Sequence, residues 1–226
     1  MEIILMEPEN SGNVGAVARV MKNFGLESLT LISPKCNHLD LDALSRAKHA
    51  KDVLKKAKTK TTAYLKKHDL LIATTAQLGN DYNLPRSYLS PKILATKLPK
   101  KGKIALLFGR EGIGLKNEEI QLADITVHIP SSKKYPTLNL SQAVAILCYE
   151  LTQEQNTETH TLATNLEKKI INQKFSKLLN TLSFATPDKK QTQKIVWKRI
   201  LGKALLTKRE SFAILGLLKK LLKLKR

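Results

Sequence analysis

The stretch IPSSKKYPTLNLSQAVAILCYEL, residues 129–151, joins a short apolar run to a long apolar helix through a polar loop. A plain connection needs only turn residues, but this loop carries two lysines, a tyrosine, a proline, a threonine and an asparagine. Asn139 is a good helix cap, and Ser141 and Gln142 follow in the first turn, where backbone N–H groups await acceptors. Because capping needs only one residue, the other polar residues of the loop indicate a further role.

The chain before this stretch alternates short apolar runs with helical segments, which is typical of a parallel α/β sheet. Several of the runs are apolar on both faces, as buried parallel strands are. We therefore predict a parallel sheet flanked by helices. The predicted strands are residues 2–6, 28–33, 69–76, 103–109 and 125–130, and the predicted helices are residues 12–23, 43–58, 91–98 and 140–151.

The last third of the chain has a different composition. Residues 152–165 are rich in Thr, Gln and Asn, which is typical of a linker that runs into a helix. Beyond it we predict three helices, at about residues 162–182, 189–203 and 208–223. The sequence thus predicts an α-helical extension after the sheet.

The charge of the chain is concentrated in this extension. The whole sequence has 39 Lys and Arg against 19 Asp and Glu, a formal charge of +20, so a polyanion is the leading partner. Residues 1–150 hold 22 basic and 14 acidic side chains, whereas residues 151–226 hold 17 and five. This excess favours RNA contact over a tail that is merely solvated. We predict an α/β domain over residues 1–155 and a basic, RNA-binding extension over residues 156–226.

Several classes of protein are disfavoured. No apolar run approaches the length of a transmembrane helix, and the first residues, MEIILMEPEN, do not resemble a secretory signal, so we expect a cytoplasmic protein without a membrane partner. Cys36 and Cys148 lie far apart and the five histidines are scattered. These spacings predict reduced, packed thiols and no metal cofactor.

The loop after the first strand, MEPENSGNVGAVARVMKNFG, residues 6–25, is polar where parallel sheets bind ligands, beyond the carboxyl end of a strand. Arg19 lies among small residues that allow another backbone or a ligand to approach closely. Asn13 lies near the predicted helix start. The plain alternatives are a helix cap for Asn13 and a surface ion pair for Arg19.

The loop after the fourth strand, LFGREGIGLKNEEI, residues 107–120, contains Gly109, Gly112 and Gly114 around Glu111. Glycines permit positive φ and close approach of the backbone. Their order matches neither the GxGxxG fingerprint nor a phosphate-binding loop. A nucleotide phosphate is therefore not the obvious ligand, and an ordinary strand-to-helix turn is the alternative.

Together, NVGAVARVMKNFG, LFGREGIGL and the stretch quoted first closely resemble, in this order and at these separations, three motifs of the SPOUT superfamily. The resemblance is to the TrmH-like RNA 2′-O-ribose methyltransferases and covers about the first two-thirds of the chain. The tail FATPDKKQTQKIVWKRILGKALLTKRESFAILGLLKKLL more weakly resembles the TrmJ branch, whose members methylate tRNA on an anticodon-loop pyrimidine, the cytidine or uridine of the position 32 class.

The resemblance implies properties that the strand pattern alone would not give. It implies a deep trefoil knot at about residues 103–151, a rare exception to unknotted topology. The loop YPTLN would then be the knot loop, facing a second subunit of a homodimer. It also implies S-adenosylmethionine as methyl donor and tRNA as substrate.

Site residues are implied in the same way. The catalytic set is Arg19 with Asn13, Glu111, Thr137, Asn139 and Tyr135. Two positions depart from the family pattern, Thr137 where serine is common and Gln77 where arginine often stands. The implied donor-binding set is Thr74, Thr75, Ala76, Gln77, Leu78, Leu107, Phe108, Gly109, Arg110, Glu111, Gly114, Ile129, Thr137, Leu138 and Asn139, and the RNA-binding set is Arg19, Arg86, Lys133, Lys134, Lys198, Arg199 and Lys203.

Three alternative functions compete with this one. Methylation of ribosomal RNA uses the same motifs, because motifs report chemistry more securely than substrate. A non-catalytic RNA-binding module is disfavoured by the intact Asn13, Arg19, Glu111 and Asn139. A dinucleotide-dependent oxidoreductase is disfavoured because the glycine spacing is wrong and no acidic ribose partner is evident.

Overall fold

The computed structural model describes residues 1–76, 88–99, 101–153 and 161–224. In this part of the chain a parallel sheet is followed by three long helices. The strands are β1 (Glu2–Met6), β2 (Leu29–Ile32), β3 (Lys58–Lys60), β4 (Leu70–Thr75), β5 (Tyr88–Leu89), β6 (Ile104–Phe108) and β7 (Ile125–His128). The helices are α1 (Ser11–Asn23), α2 (Leu41–Ala47), α3 (Lys51–Lys55), α4 (Pro91–Lys97), α5 (Asn117–Leu122), α6 (Leu140–Thr152), α7 (Asn165–Asn180), α8 (Pro187–Ala204) and α9 (Lys208–Leu224), with 3₁₀ turns at Lys48–Ala50 and Thr62–Lys67.

The sheet order is β3-β2-β1-β6-β4-β7-β5, and every neighbouring pair is parallel. Strand β6 therefore lies between β1 and β4, although it follows both in sequence. Apolar residues of β1 are buried at successive positions, which requires cover on both faces of the sheet. On one face Ile4 and Met6 pack with Leu65 and Ile120. The predicted parallel sheet flanked by helices is confirmed.

The five predicted strands are confirmed to within one or two residues, but the predicted helix over residues 43–58 is wrong. The chain instead forms α2, a 3₁₀ turn and α3, and then the edge strand β3. The break falls at Lys48, whose φ of 53° and ψ of −114° are incompatible with a continuing helix. The residue type at this position does not indicate the break, because lysine is an ordinary helix residue.

The chain divides into two compact units. The first comprises Met1–Leu98 and Lys103–Thr157, and the second comprises Pro99–Gly102 and Glu158–Arg226. In the second unit α7, α8 and α9 surround a small core in which the rings of Phe175 and Trp197 stack with centroids 4.1 Å apart. None of the helices in the described residues is long and apolar enough to cross a membrane.

Candidate active site

A cavity lies in the first unit at the carboxyl ends of β4, β6 and β7. Because the strands are parallel, the residues that follow each of them meet at one edge of the sheet. The chain supplies the lining from three separate segments, residues 74–76, 108–115 and 127–143. The second and third segments belong to the loops that carry the motifs.

Most of the predicted donor-binding residues line this cavity. They are Thr74, Thr75, Ala76, Phe108, Gly109, Arg110, Glu111, Gly114, Ile129, Thr137 and Leu138. Leu107 is instead buried in β6, where its carbonyl accepts a hydrogen bond from Thr74 Oγ1 at 3.1 Å. Asn139 lies outside the lining, and Gln77 and Leu78 fall outside the described residues.

Sequence reasoning missed part of the lining. Val127 of β7 lies two residues before Ile129, which directly follows the strand, and Leu140 and Ala143 lie one helical turn apart on α6. These two spacings, two in a strand and three in a helix, are signals that could have found them. The other missed residues are Gly112, Ile113, Leu115 and Pro136.

The loop after β6, residues 109–115, folds tightly back on itself, and we call it the glycine loop. Arg110 N donates to Gly114 O at 3.2 Å and Gly114 N donates to Arg110 O at 3.0 Å. A Cβ at Gly109 would lie 2.2 Å from the carbonyl carbon of Gly114, and Gly114 has a φ of +67° that favours glycine. The loop therefore needs glycine at both positions to form this wall of the cavity.

The Arg110 side chain anchors this loop to neighbouring elements of the first unit. Its guanidinium is buried and forms ion pairs with Glu7, just after β1, at 3.0 Å and with Glu119 of α5 at 2.7 Å. One of its N–H groups also donates to Gly114 O at 3.2 Å. Two carboxylates and a carbonyl thus occupy the guanidinium, so the Arg110 side chain fixes the loop geometry.

These contacts shift the ionisation of all three groups. The hydrogen bond from Arg110 lowers the pKa of Glu7 to about 2. The two carboxylates raise the pKa of Arg110. Burial alone would raise the pKa of Glu119, but the hydrogen bonds from Arg110 and from the Lys116 backbone give a net lowering. All three groups are therefore charged at neutral pH.

A chain of hydrogen bonds joins the three motif loops at the edge of the cavity. Glu111 Oε1 accepts from Asn13 Nδ2 at 3.2 Å, and Asn13 Oδ1 accepts from Asn139 Nδ2 at 3.2 Å. Asn139 Oδ1 in turn accepts from the backbone N–H and the hydroxyl of Ser141, at 2.9 and 2.8 Å. The Glu111 carboxylate also accepts from the backbone N–H groups of Glu9 and Asn10, both at 3.3 Å.

The helix-cap alternative for Asn13 is wrong. The cap of α1 is Asn10, whose side chain accepts from Asn13 N at 3.0 Å, and Asn13 is the third residue of the helix. Its side chain is therefore free to join Glu111 and Asn139. Asn139 does cap α6, and it makes the contact to Asn13 as well.

The other predicted catalytic residues take no part in this series of hydrogen bonds. Thr137 lines the cavity and is exposed. Tyr135 is 80% exposed and lies outside the lining, in a turn in which its N–H donates to Ser132 O at 3.1 Å. Arg19 lies exposed on α1 and lines a second, shallow depression with Ser141. Within the described residues Arg19 has no ion-pair partner, which disfavours the surface ion pair.

The predicted RNA-binding residues are spread over the chain. Lys133 and Lys134 are exposed on the loop before α6. Lys198, Arg199 and Lys203 lie on α8 in the second unit, where burial lowers the pKa of Arg199. Arg86 falls outside the described residues. Across the residues that the structure covers, no group of three or more His, Cys, Asp or Glu side chains could hold a metal ion.

Solved structures of the same fold are methyltransferases. TrmJ from Z. mobilis ZM4 superposes with a TM-score of 0.70 at 25% identity, covering 97% of this chain and 98% of that one. A probable methylase family protein from Haemophilus influenzae gives a TM-score of 0.66 at 30% identity, covering 98% and 95% of the two chains. The fold is thus that of a methyltransferase.

Sequence comparison gives the family. The tRNA (cytidine-2′-O-)-methyltransferase TrmJ of Methanocaldococcus jannaschii is 37% identical, covering 97% of this chain and 98% of its own. A model of the SpoU rRNA methylase family matches residues 1–149. The protein belongs to this family. The predicted resemblance to the SPOUT superfamily and its TrmJ branch is confirmed, as is the class of RNA 2′-O-methyltransferase.

Proposed function

We propose that the protein is an S-adenosylmethionine-dependent tRNA 2′-O-ribose methyltransferase that acts on an anticodon-loop pyrimidine. The observation that carries this proposal is the hydrogen-bond chain Glu111–Asn13–Asn139 beside the cavity. It joins the first motif loop to the second and third, although Asn13 lies 98 residues from Glu111 and 126 residues from Asn139 along the chain. A module that only bound RNA would have no need to keep this arrangement.

The cavity fits the methyl donor by its chemistry. Its walls combine apolar side chains, Val127, Ile129 and Leu140, with the backbone of the glycine loop, so that carbonyl and N–H groups can read a nucleoside and an amino acid. Residues 74–76, 108–114 and 136–138 would hold the donor. When bound, S-adenosylmethionine supplies a methyl group on a positively charged sulfur.

The residues of this chain then orient the RNA ribose. The Asn13 and Asn139 amides, fixed by Glu111 and Ser141, are placed to hydrogen-bond the ribose hydroxyls. Arg19 would bind the adjoining phosphate and stabilise the alkoxide that develops on the 2′-oxygen. It is not a base, because a guanidinium with a pKa above about 12 does not lose its proton in a protein. Thr137 and Tyr135 complete the proposed catalytic set from the loop before α6.

The choice of tRNA rests on relatives that match the chain along its whole length. The TrmJ of Methanocaldococcus jannaschii is named as a tRNA cytidine methyltransferase, and that of Pseudomonas aeruginosa, 31% identical over 96% of this chain and 92% of its own, as acting on cytidine, uridine and adenosine. These matches include the helical extension as well as the family domain. They support tRNA over ribosomal RNA.

The extension, residues 156–226, is proposed to grip the tRNA. It contributes most of the excess positive charge, with 17 basic against five acidic side chains over residues 151–226. Lys198, Arg199 and Lys203 on α8 are the proposed contacts, with Lys133 and Lys134 on the first unit. Replacing Lys198 and Lys203 by Gln should weaken tRNA binding. It should lower the salt dependence of binding by the equivalent of about one phosphate contact for each charge removed, and donor binding should be unchanged.

We further propose that residues 103–151 form a trefoil knot and that two copies associate through it in the cytoplasm. Two exposed aromatic residues of this segment, Tyr135 at 80% and Tyr149 at 55%, support a surface that a second copy covers. Small-angle scattering would measure the mass in solution. A monomer at the concentration used for catalysis would contradict the dimer.

The decisive experiment for the function is transfer of labelled methyl from S-adenosylmethionine to unmodified tRNA, followed by mapping of the methylated ribose. Donor binding is measured in parallel by calorimetry. We expect a 2′-O-methyl group on an anticodon-loop pyrimidine. Transfer to ribosomal RNA instead would move the substrate within the family, and absence of donor binding would remove the catalytic function.

A further inference from the structure

A groove separate from the cavity contains three cationic side chains. We call it the α1–α2 groove, and it is formed by one face of α1, the end of α2 and the first turn of α6. No carboxylate is among the described residues that line it. They are Ala16, Arg19, Val20, Asn23, Ser45, Arg46, Lys48 and Ser141.

Two glycines of α1 create the groove by letting α2 approach. A Cβ at Gly15 would lie 2.2 Å from the carbonyl oxygen of Ala43, and one at Gly12 would lie 2.6 Å from Arg46 Nε. Larger residues would push α2 away. The two glycines thus allow the Arg46 side chain of α2 to lie against α1, the helix that carries Arg19.

Arg46 keeps part of its guanidinium available. Its Nε donates to Asp42 Oδ1 at 3.1 Å, and this bond orients the group. No other hydrogen bond of the Arg46 side chain is found within the described part of the chain. Arg19 has no partner there, so the positive charge of the groove exceeds the single negative charge of Asp42 beside it.

Lys48 occupies a backbone position that suits glycine. Its φ of 53° lies in the region that side chains rarely adopt, and it follows the last residue of α2. Glycine would take this conformation without steric cost. Lysine instead sets an exposed ammonium group at the rim of the groove.

The groove adjoins the reacting centre. Ser141 lines it, and the Ser141 hydroxyl donates to Asn139 Oδ1 at 2.8 Å. Asn139 in turn donates to Asn13 at 3.2 Å. An anion in the groove would therefore lie one hydrogen-bonded residue away from the amides that we propose to hold the ribose.

We propose that Arg19, Arg46 and Lys48 together bind a backbone phosphate of the substrate RNA and so set which ribose reaches the methyl donor. The proposal rests on the proposed function for the identity of the RNA, but it assigns Arg46 and Lys48 a role of their own. A guanidinium suits a phosphate because it offers parallel N–H donors, and an ammonium adds a point charge.

The test compares full-length variants for binding of unmodified tRNA at several salt concentrations. Arg46→Gln and Lys48→Gly should each weaken binding about tenfold, the scale of one charge-assisted contact. Each should lower the slope of log affinity against log salt by about 0.7 to 0.9. Lys48→Gly is informative because it removes the charge and places at this position the residue that adopts a positive φ without steric cost.

Two matched variants control the comparison. Lys55→Gln removes an exposed charge from α3, outside the groove, and should change affinity less than twofold. Lys48→Arg keeps the charge and should bind nearly as well as the wild type. Equal affinity of the Gln and Gly variants and the Lys55→Gln control would overturn the proposal, as would absence of tRNA binding by the wild type.

The outcomes separate this site from the proposed function. If the wild type binds tRNA and the groove variants lose affinity, the phosphate site stands even where no methyl group is transferred. If methyl transfer proceeds and the groove variants match the Lys55→Gln control, the function stands and the site is rejected. Thermal unfolding of each variant confirms that the fold is intact.

Discussion

Arg110 lines the cavity and Arg19 lines the α1–α2 groove, and these two arginines are held in opposite ways. Arg110 is 5% exposed and bonded to two carboxylates, whereas Arg19 is exposed and has no ion-pair partner among the described residues. Buried charges must be paired, and an unpaired exposed charge is available to a ligand. The first arginine therefore holds the glycine loop in place, and the second is the one that we propose to bind the substrate.

Arg110→Ala should cause the largest loss of stability. It leaves Glu119 buried without its partner, and breaking a buried pair in this way costs about 3–5 kcal/mol. Chemical denaturation measures the loss. The matched variant carries both Arg110→Met and Glu119→Gln and should lose much less; equal losses would mean that the pair does not hold the loop.

Arg19→Ala should leave the free energy of unfolding unchanged, because its side chain has no partner in the described structure to lose. Removing one group that stabilises transition-state charge costs about 10²–10³ in kcat. Steady-state methyl transfer measures this, with Arg19→Lys expected to recover part of the rate. Near-normal turnover of the alanine variant would take Arg19 out of the mechanism.

Gly15→Ala should disturb the groove and leave the cavity unchanged. The added Cβ meets the Ala43 carbonyl at 2.2 Å, and such overpacking costs about 1–3 kcal/mol. We expect weaker tRNA binding with donor binding kept. The control is Gly216→Ala in α9, where a Cβ meets nothing within 4 Å and should be neutral or slightly stabilising.

The smallest expected effect is a change with pH at Glu7. Because its folded-state pKa is lowered from 4.5 to about 2, the Glu7 contact stabilises the fold fully above pH 4.5 and is lost as the pH falls toward 2. Glu7→Gln should flatten this part of the curve of stability against pH. An identical acid limb in both proteins would mean that Glu7 does not contribute.

The strands that the sequence predicts differ in burial from those that it does not. Buried parallel strands are apolar runs, so five of them were found, whereas β3 is exposed at all three residues and β5 has only two. The order of strands was beyond reach, since nothing in β6 specifies a place between β1 and β4. The break at Lys48 was missed because no glycine marks it.

Some features of the site are predictable from the sequence and others are not. The loops were predictable because their polar residues and glycines follow strands, and their joining by hydrogen bonds follows from the parallel sheet. The partners of Arg110 were not predictable, because Glu7 lies 103 residues away along the chain. Arg46 and Lys48 were missed as well, because α2 reaches α1 only through the close packing at Gly15.

The place of β6 also has a consequence for synthesis on the ribosome. Strand β1 can pair with β2 early, but its other edge must wait for β6, which emerges roughly 100 residues later. At a translation rate of about 5–20 residues per second, that edge stays open for about 5–20 seconds. The nascent chain therefore carries a strand with apolar side chains and an unpaired backbone edge throughout most of the synthesis of its family domain, and such a strand is a natural target for chaperones.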